Sequence, residues 1–381
     1  MPDIAFKLDP RIVIGTDTVN RIGGLCSEIG GRVLIISEPV LYENRAIDRV
    51  VSVLEDSSVE AIVFDEVPSQ ATAEVAENAA ELARGARCAA IVALGGLKTQ
   101  AVARLAAMLG HGGTYLFDLL DGTMPNGPFI PYIAVPTTGR DPFLFSDHFV
   151  AVDPRDRSVK VVKSLPGMCA AAVIDPGLSE SLSGKFAATT AFDGFCVAIE
   201  AYCSTQASFL SDALLERAIE LYARIMDSFY DERVFDVLGN STNAGFLTAL
   251  GAAASSPGIG TALSYALNGR FPVAKSWCST VLLPYVMEQM LPTRPERFAK
   301  VAALMGEPIE AMSSSAAASM AIDGIRRRMG LLQVPARLKD FGLALDKLVP
   351  VAEAARTLEF VAFSPRPITS EVAYDLLKQA Y

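Results

Sequence analysis

No apolar run in the 381-residue sequence reaches the roughly 18 residues that a membrane-spanning helix needs, because Gly, Arg or Pro interrupts each one earlier. Basic charge is also scarce. The 33 Lys and Arg are outnumbered by 43 Asp and Glu, and the net charge of −10 argues against both nucleic acid and membrane as partners. Six cysteines (Cys26, Cys88, Cys169, Cys196, Cys203 and Cys278) show no CxxC spacing. That excludes the common zinc and dithiol motifs and leaves reduced, interior thiols. Met1 is not followed by a basic and then an apolar leader, so no secretory signal is visible and a cytoplasmic location is expected. Low-complexity segments and internal repeats are missing too. The chain does have 51% apolar and 20% charged residues, ordinary globular proportions, and a length that suits two domains.

In chain order, a strand around 11–14 precedes Arg32 to Ser37, RVLIIS, a β-branched run bounded by Gly31 and by Glu38-Pro39. A helix over 43–54, a strand over 60–64, a helix over 72–86 and a strand over 89–94 follow. This alternation implies right-handed βαβ units and a parallel sheet. Gly95-Gly96-Leu97-Lys98-Thr99 then leads into a helix over 100–109. A glycine pair there lets backbone approach a ligand, and the free N–H groups attract phosphate; a plain tight connection fits equally well. Strand 132–135 runs into Pro136-Thr137-Thr138-Gly139, at the carboxyl edge of the sheet where ligands of open α/β sheets sit. Segments 143–152 and 159–163 read as a hairpin, and strand 171–174 closes at Asp175-Pro176. From 178 onward the pattern is helical, with Ser211, Asn240 and Ser279 as candidate caps. The expected domains are therefore 1–177, α/β, and 178–381, all-helical.

The stretch from Ala188 to Tyr202 organises the second half. Phe192, Phe195, Cys196, Ile199 and Tyr202 recur at helical spacing and mark a buried face, and Asp193 lies within it. A carboxylate so placed needs a cation or a donor. Trp277 and Cys278 read as core, with a place lining the cleft as the alternative. Arg326-Arg327-Arg328 closes a helix and reads as a solvated face or a subunit contact.

The chain as a whole resembles the iron-activated (group III, metal-dependent) alcohol dehydrogenase family. The resemblance is carried by VLIISEPVLYE, by IVALGG before a helix, by PYIAVPTT, by AAVIDPGLSESLSGKFAATTAFDGFCVAIEAY, by Gly258 to Met287 ending VLLPYVM, and by FSPRPIT. It implies a dehydroquinate synthase-like fold: an α/β N-terminal domain with a parallel, Rossmann-like sheet that binds a dinucleotide, and an all-α C-terminal domain that holds a divalent metal. It also implies a homodimer or larger homo-oligomer, and interconversion of small alcohols with aldehydes or ketones. Glu38 matches the acid that the family sets against the adenosine ribose, which favours NAD(H); a solvated strand-end acid is the plainer alternative. Gly95 and Gly96 match the pyrophosphate turn. Its third glycine and its serine are Leu97 and Lys98, where Lys98 brings a compensating charge, and the aspartate of the following helix is Ala101. Thr137 and Thr138 match the cofactor-contacting pair, followed by Arg140-Asp141-Pro142-Phe143 in place of small residues.

The resemblance also implies four metal-ligand positions, one Asp and three His in the family. Here they are Asp193, Val197, Thr261 and Lys275, while His111 and His148 lie in neither motif. This set does not hold iron or zinc as relatives do, so no divalent metal is expected. Lys275 is expected to enter the metal volume and pair with Asp193. Tyr265, at another family histidine position, is expected near that ammonium with a lowered pKa, as a general acid/base. Phe143, Phe145, Tyr265 and Trp277 suggest a pocket of low polarity. Two main functions stay open, with synthase-like lyase chemistry as a third. One is a metal-independent, NAD(H)-dependent alcohol dehydrogenase or carbonyl reductase with Tyr265, Lys275 and Asp193 as catalytic residues. The other is a non-catalytic or ligand-binding member with an inactivated metal site.

Overall fold

The computed structural model describes residues 6–125, 127–179, 184–229 and 237–381. The chain divides into two compact units, Met1–Ser181 and Leu182–Tyr381.

In the first unit, β1 (Arg11–Ile14), β2 (Arg32–Ile36), β3 (Glu60–Phe64), β4 (Ala90–Gly95), β5 (Tyr132–Pro136) and β8 (Cys169–Ile174) form a parallel sheet in the order β1-β8-β5-β4-β2-β3. Strands β4 and β5 are buried along their whole length, as continuously apolar strands covered on both faces must be. The unit's helices are α1 (Ile22–Ser27), α2 (Ala46–Asp56), α3 (Val75–Gly85), α4 (Leu97–Leu109) and α5 (Leu116–Leu120). Ile47, Val50 and Leu54 of α2 are spaced to face inward and join Val33, Ile35, Val92 and Ile133 in one core cluster. The order in which strands are added reverses between β2 and β4: β2 leads outward to β3, whereas β4 leads to β5 on its other side. This is the topological switch point of the sheet, and Glu38, Gly95-Gly96 and Thr137-Thr138 all follow strands at its carboxyl edge.

Strands β6 (His148–Val152) and β7 (Val159–Lys163) form the expected antiparallel hairpin. Its first strand begins at His148, five residues later than expected. Residues 143–147 are turns and bends instead, because Asp141 Oδ1 accepts the Phe143 N–H at 2.9 Å and curls the chain into an Asx-type turn. Helix α4 likewise starts at Leu97, directly on the glycine turn, three residues before the expected start.

The second unit contains α6 (Gly184–Cys203), α7 (Phe209–Ser228), α8 (Val237–Ala253), α9 (Ile259–Arg270), α10 (Lys275–Met290), α11 (Pro295–Leu304), α12 (Ser314–Leu331), α13 (Val349–Arg356) and α14 (Ser370–Gln379). Helices α6 and α7 approach so closely that a Cβ on Gly194 would lie 2.2 Å from the Tyr222 hydroxyl oxygen. Helix α6 also packs on α10, and α9 on α10, which places the starts of α9 and α10 beside the middle of α6. Helix capping differs from expectation. Ser208 caps α7 in a reciprocal box with Ser211, while Asn240 and Ser279 lie inside helices. The Arg326–Arg328 run is not one solvated face either. Arg328 is buried, bonded to Glu307 and Asp227 at 2.6 and 2.7 Å, because α12 turns that side of the run toward the carboxylates. Among the described residues, no helix is long and apolar enough to cross a membrane.

Candidate functional site

At the switch point, the Gly96 N–H donates to Glu38 Oε1 at 2.8 Å, and the Thr99 hydroxyl lies 3.4 Å from the same oxygen. The carboxylate therefore ties the end of β2 to the start of α4. Gly95 has φ +157°, and a Cβ there would fall 2.5 Å from Thr99 Oγ1, so only glycine lets the turn close on the helix. The Thr137 N–H donates to the Gly95 carbonyl, and its own carbonyl accepts from Ser179 Oγ at 2.8 Å. Thr138 is only 7% exposed, and its hydroxyl has no hydrogen-bond partner. Its oxygen lies 3.9 Å from the place a Cβ on Gly96 would take. The ammonium of Lys98 is also buried without a partner. Burial, and next the charge of Arg157, push its pKa down to about 8. Glu38, Gly95, Gly96, Thr137 and Thr138 are thus brought together, and Lys98 follows them in the first turn of α4.

Sequence reasoning missed Arg104, which is 1% exposed in α4. Its guanidinium pairs with Asp141 at 3.2 Å and lies 5.4 Å from the centre of the Phe149 ring. Burial disfavours its charge, but Tyr132, Asp141 and Cys169 outweigh that and hold the pKa above the usual arginine value. The available signal was a single cation inside the otherwise apolar AVARLAAML, four residues after Gln100.

In the helical unit, Asp193 meets Lys275. The Lys275 ammonium donates to Asp193 Oδ1, and the Ser279 hydroxyl donates to the same oxygen at 2.6 Å. Lys275 opens α10, and Ser279, four residues on, shares its face. Ser279 Oγ lies 2.8 Å from Ser264 Oγ, which in turn reaches the Gly260 carbonyl at 2.6 Å. The ammonium stands 4.9 Å from the centre of the Tyr265 ring, a cation–π distance. Asp193, Lys275 and Tyr265 are therefore assembled.

Val197, one turn after Asp193, is buried and offers only methyl groups. Thr261 faces elsewhere. Its hydroxyl donates to Glu200 Oε2 at 2.6 Å, and the N–H groups of Gly258, Gly260 and Thr261 donate to the same carboxylate at 3.2, 2.5 and 3.0 Å. Glu200 thus caps the N-terminus of α9, where both the orphan amides and the helix dipole favour an anion. Burial raises its pKa, against the bonds from Thr261, Gly260 and Gly258. Its sequence signal was a second acid seven residues after Asp193 on the same apolar helix.

Of the aromatic residues expected to line a pocket, Trp277 packs edge-on against Phe341 at 6.1 Å and Phe143 meets the His148 ring at 5.2 Å. Cys278 is interior, with burial pushing its thiol up to about 12.

The family description "Iron-containing alcohol dehydrogenase" matches residues 9–176, and "Fe-containing alcohol dehydrogenase family, C-terminal" matches residues 187–381. The chain belongs to the iron-containing alcohol dehydrogenase family. It is 26% identical to a 1,3-propanediol dehydrogenase of Citrobacter freundii over 381 residues, covering 96% of each chain. It is also 26% identical to a choline dehydrogenase of Bacillus subtilis (strain 168), covering 97% of this chain and 93% of the relative. Among solved structures, a 1,3-propanediol oxidoreductase superposes with TM-score 0.92 at 24% identity over 100% of both chains. A sulfoacetaldehyde reductase from Bifidobacterium kashiwanohense, in complex with NAD+, superposes with TM-score 0.85 at 16% identity over 100% of this chain and 99% of that one. The fold expected from the resemblance is the fold observed.

The two groups that this family implies fare differently. The carboxyl edge of the sheet suits a dinucleotide: it is the switch point, it opens a helix on a glycine turn, and it carries an orphaned Thr138 hydroxyl and an orphaned Lys98 ammonium. The metal positions do not suit a divalent ion. Val197 has no donor atom, Thr261 is committed to Glu200, and Lys275 brings a positive charge of its own to the only carboxylate. Among the described residues, no group of three or more His, Cys, Asp or Glu is placed to hold a metal.

Proposed function

We propose that this protein is an oxidoreductase of small alcohols and carbonyl compounds that uses NAD(H) and needs no divalent metal. The observation that carries the reading is the Lys275 ammonium on Asp193, a fixed positive charge where the resemblance would put the family's metal. Glu38, Gly95, Gly96, Lys98, Thr137 and Thr138 would hold NAD(H), which when bound would supply or accept the hydride. A carboxylate at Glu38 suits a free ribose 2′-hydroxyl and repels a 2′-phosphate. In the reducing direction, negative charge develops on the substrate oxygen, and Lys275 stabilises it as a charged donor. Tyr265 gives that oxygen its proton and takes it back in the oxidising direction. Asp193 and Ser279 hold the ammonium in place. The reading extends to a homodimeric cytoplasmic protein, as the resemblance and the sequence imply.

One observation favours a second reading, a ligand-binding member without turnover. The Lys275 side chain is only 2% exposed, with its ammonium already committed to Asp193. Chelator-treated protein assayed with NADH and a panel of short aldehydes separates the two. NADH oxidation that is lost in Lys275→Met and Tyr265→Phe supports the metal-free oxidoreductase. NADH binding without turnover supports the second reading, and no NADH binding at millimolar cofactor removes the first. Stoichiometric iron or zinc bound through Asp193 overturns the metal-free assignment.

A further inference from the structure

Within the helical unit, the last turn of α10 and one face of α14 line a cavity of about 350 Å³. Glu288 and Gln289 come from α10. Val372, Asp375 and Leu376, spaced to share a face, come from α14, and Arg366 comes from the segment that leads into it. The Arg366 guanidinium donates to the Gln289 carbonyl at 3.2 Å, one of the last carbonyls of α10, which the helix itself leaves unpaired. Gln289 stands about 21 Å along the axis from Lys275 at the start of α10, so the cavity is separate from the Asp193 pair. Glu288 is neutralised by Arg326 at 2.6 Å. Among the described residues, Arg366 has no carboxylate partner and Asp375 has no cation. Both amide atoms of Gln289, Oε1 and Nε2, are buried without a hydrogen-bond partner. Such an amide has an acceptor and two donors to satisfy, and drying them unpaired is costly.

We infer that this cavity binds a free α-amino acid with an apolar side chain of about leucine size. A zwitterion supplies in one molecule what three lining groups lack. Its carboxylate accepts from the remaining guanidinium N–H groups of Arg366 and from Gln289 Nε2, and its ammonium donates to Asp375 and to Gln289 Oε1. The last side-chain torsion of a glutamine is soft, so the amide turns toward the cavity at little cost. Val372 and the buried Leu376 give the apolar side chain its wall. One cation and one anion without partners suit a ligand of no net charge, and each disfavours a ligand that carries only its own sign. A volume of about 350 Å³ is at the small end of the range for ligand cavities. The site goes beyond the oxidoreductase reading and does not depend on it.

Isothermal titration of the full chain with L-leucine, with isocaproate, which lacks the ammonium, and with isoamylamine, which lacks the carboxylate, tests the site. The variants are Arg366→Gln, Asp375→Asn and Gln289→Leu, with circular dichroism as the folding check. Leucine should bind wild type, and each one-ended analogue should bind about 10- to 100-fold more weakly, the usual range for losing one charged hydrogen bond. Asp375→Asn should weaken leucine by a similar factor and leave isocaproate unchanged. Asp375 is exposed, so this variant keeps the test in force even where Arg366→Gln does not fold. No leucine binding at millimolar concentration overturns the site. Equal affinity for leucine and isocaproate does so too, as does leucine affinity untouched by both Asp375→Asn and Gln289→Leu.

Discussion

The Lys275 ammonium and the Asp193 carboxylate neutralise each other in the interior of the helical unit, with 2% and 0% of their side chains exposed. Breaking such a pair from one side leaves a bare charge in the core. Lys275→Met should therefore destabilise the protein by about 3–5 kcal/mol in urea titration, and Lys275→Met with Asp193→Leu should recover most of that loss. A single variant within about 1 kcal/mol of wild type would mean that the carboxylate is already neutral or hydrated.

Chelation provides an independent check. The melting temperature of wild type should not move in EDTA, since Asp193 has its cation by covalent attachment. If the positions that the resemblance gives for the metal are the right ones, Val197→His, Thr261→His and Lys275→His together should restore one Asp and three His and take up about one zinc ion per chain, measured by elemental analysis. A wild-type protein that loses stability in EDTA contradicts the substitution of ammonium for metal.

Glu200 should behave as a structural anchor. Its carboxylate accepts four bonds from the start of α9, so Glu200→Ala should cost on the order of 2–3 kcal/mol, with Glu200→Gln recovering part of it. Hydrogen exchange should speed first at the Gly260 and Thr261 amides. Equal protection in the variant would count against the cap.

Lys98 titrates within reach of ordinary buffers. Its folded pKa of about 8 lies below the ordinary lysine value of 10.5, through burial and then Arg157. Below about 8 the ammonium is charged in both folded and unfolded chains, and the folded state bears the full cost. As pH rises from about 8 toward 10.5 the unfolded chain binds the extra proton, so stability should rise with pH across that window. NADH affinity should move the other way, falling as pH passes about 8 and the ammonium is lost. Fluorescence titration at several pH values checks this, and the pH dependence should be absent in Lys98→Met.

The sheet and the Asp193–Lys275 pair were legible because each leaves a one-dimensional trace. The β-branched runs alternate with helices, and one acid interrupts an apolar face. Glu200 and Arg104 left weaker traces, since their partners are backbone amides of α9 and a turn residue, Asp141, far off in sequence. Residues 143–145 read as strand from composition, yet a single Asx-type bond at Asp141 outcompetes that propensity. Arg328 was misjudged because a run of three arginines gives no sign of which one the helix turns inward. Neighbouring carboxylates, Glu307 and Asp227, decide that.

Lys275 is joined to the chain by peptide bonds, so its hold on Asp193 has no dissociation constant. A bound ferrous ion can be diluted away, captured by a competitor or oxidised in air. The side-chain ammonium is present at one equivalent from the moment α10 packs on α6, so the charge that neutralises Asp193 arrives with the chain itself.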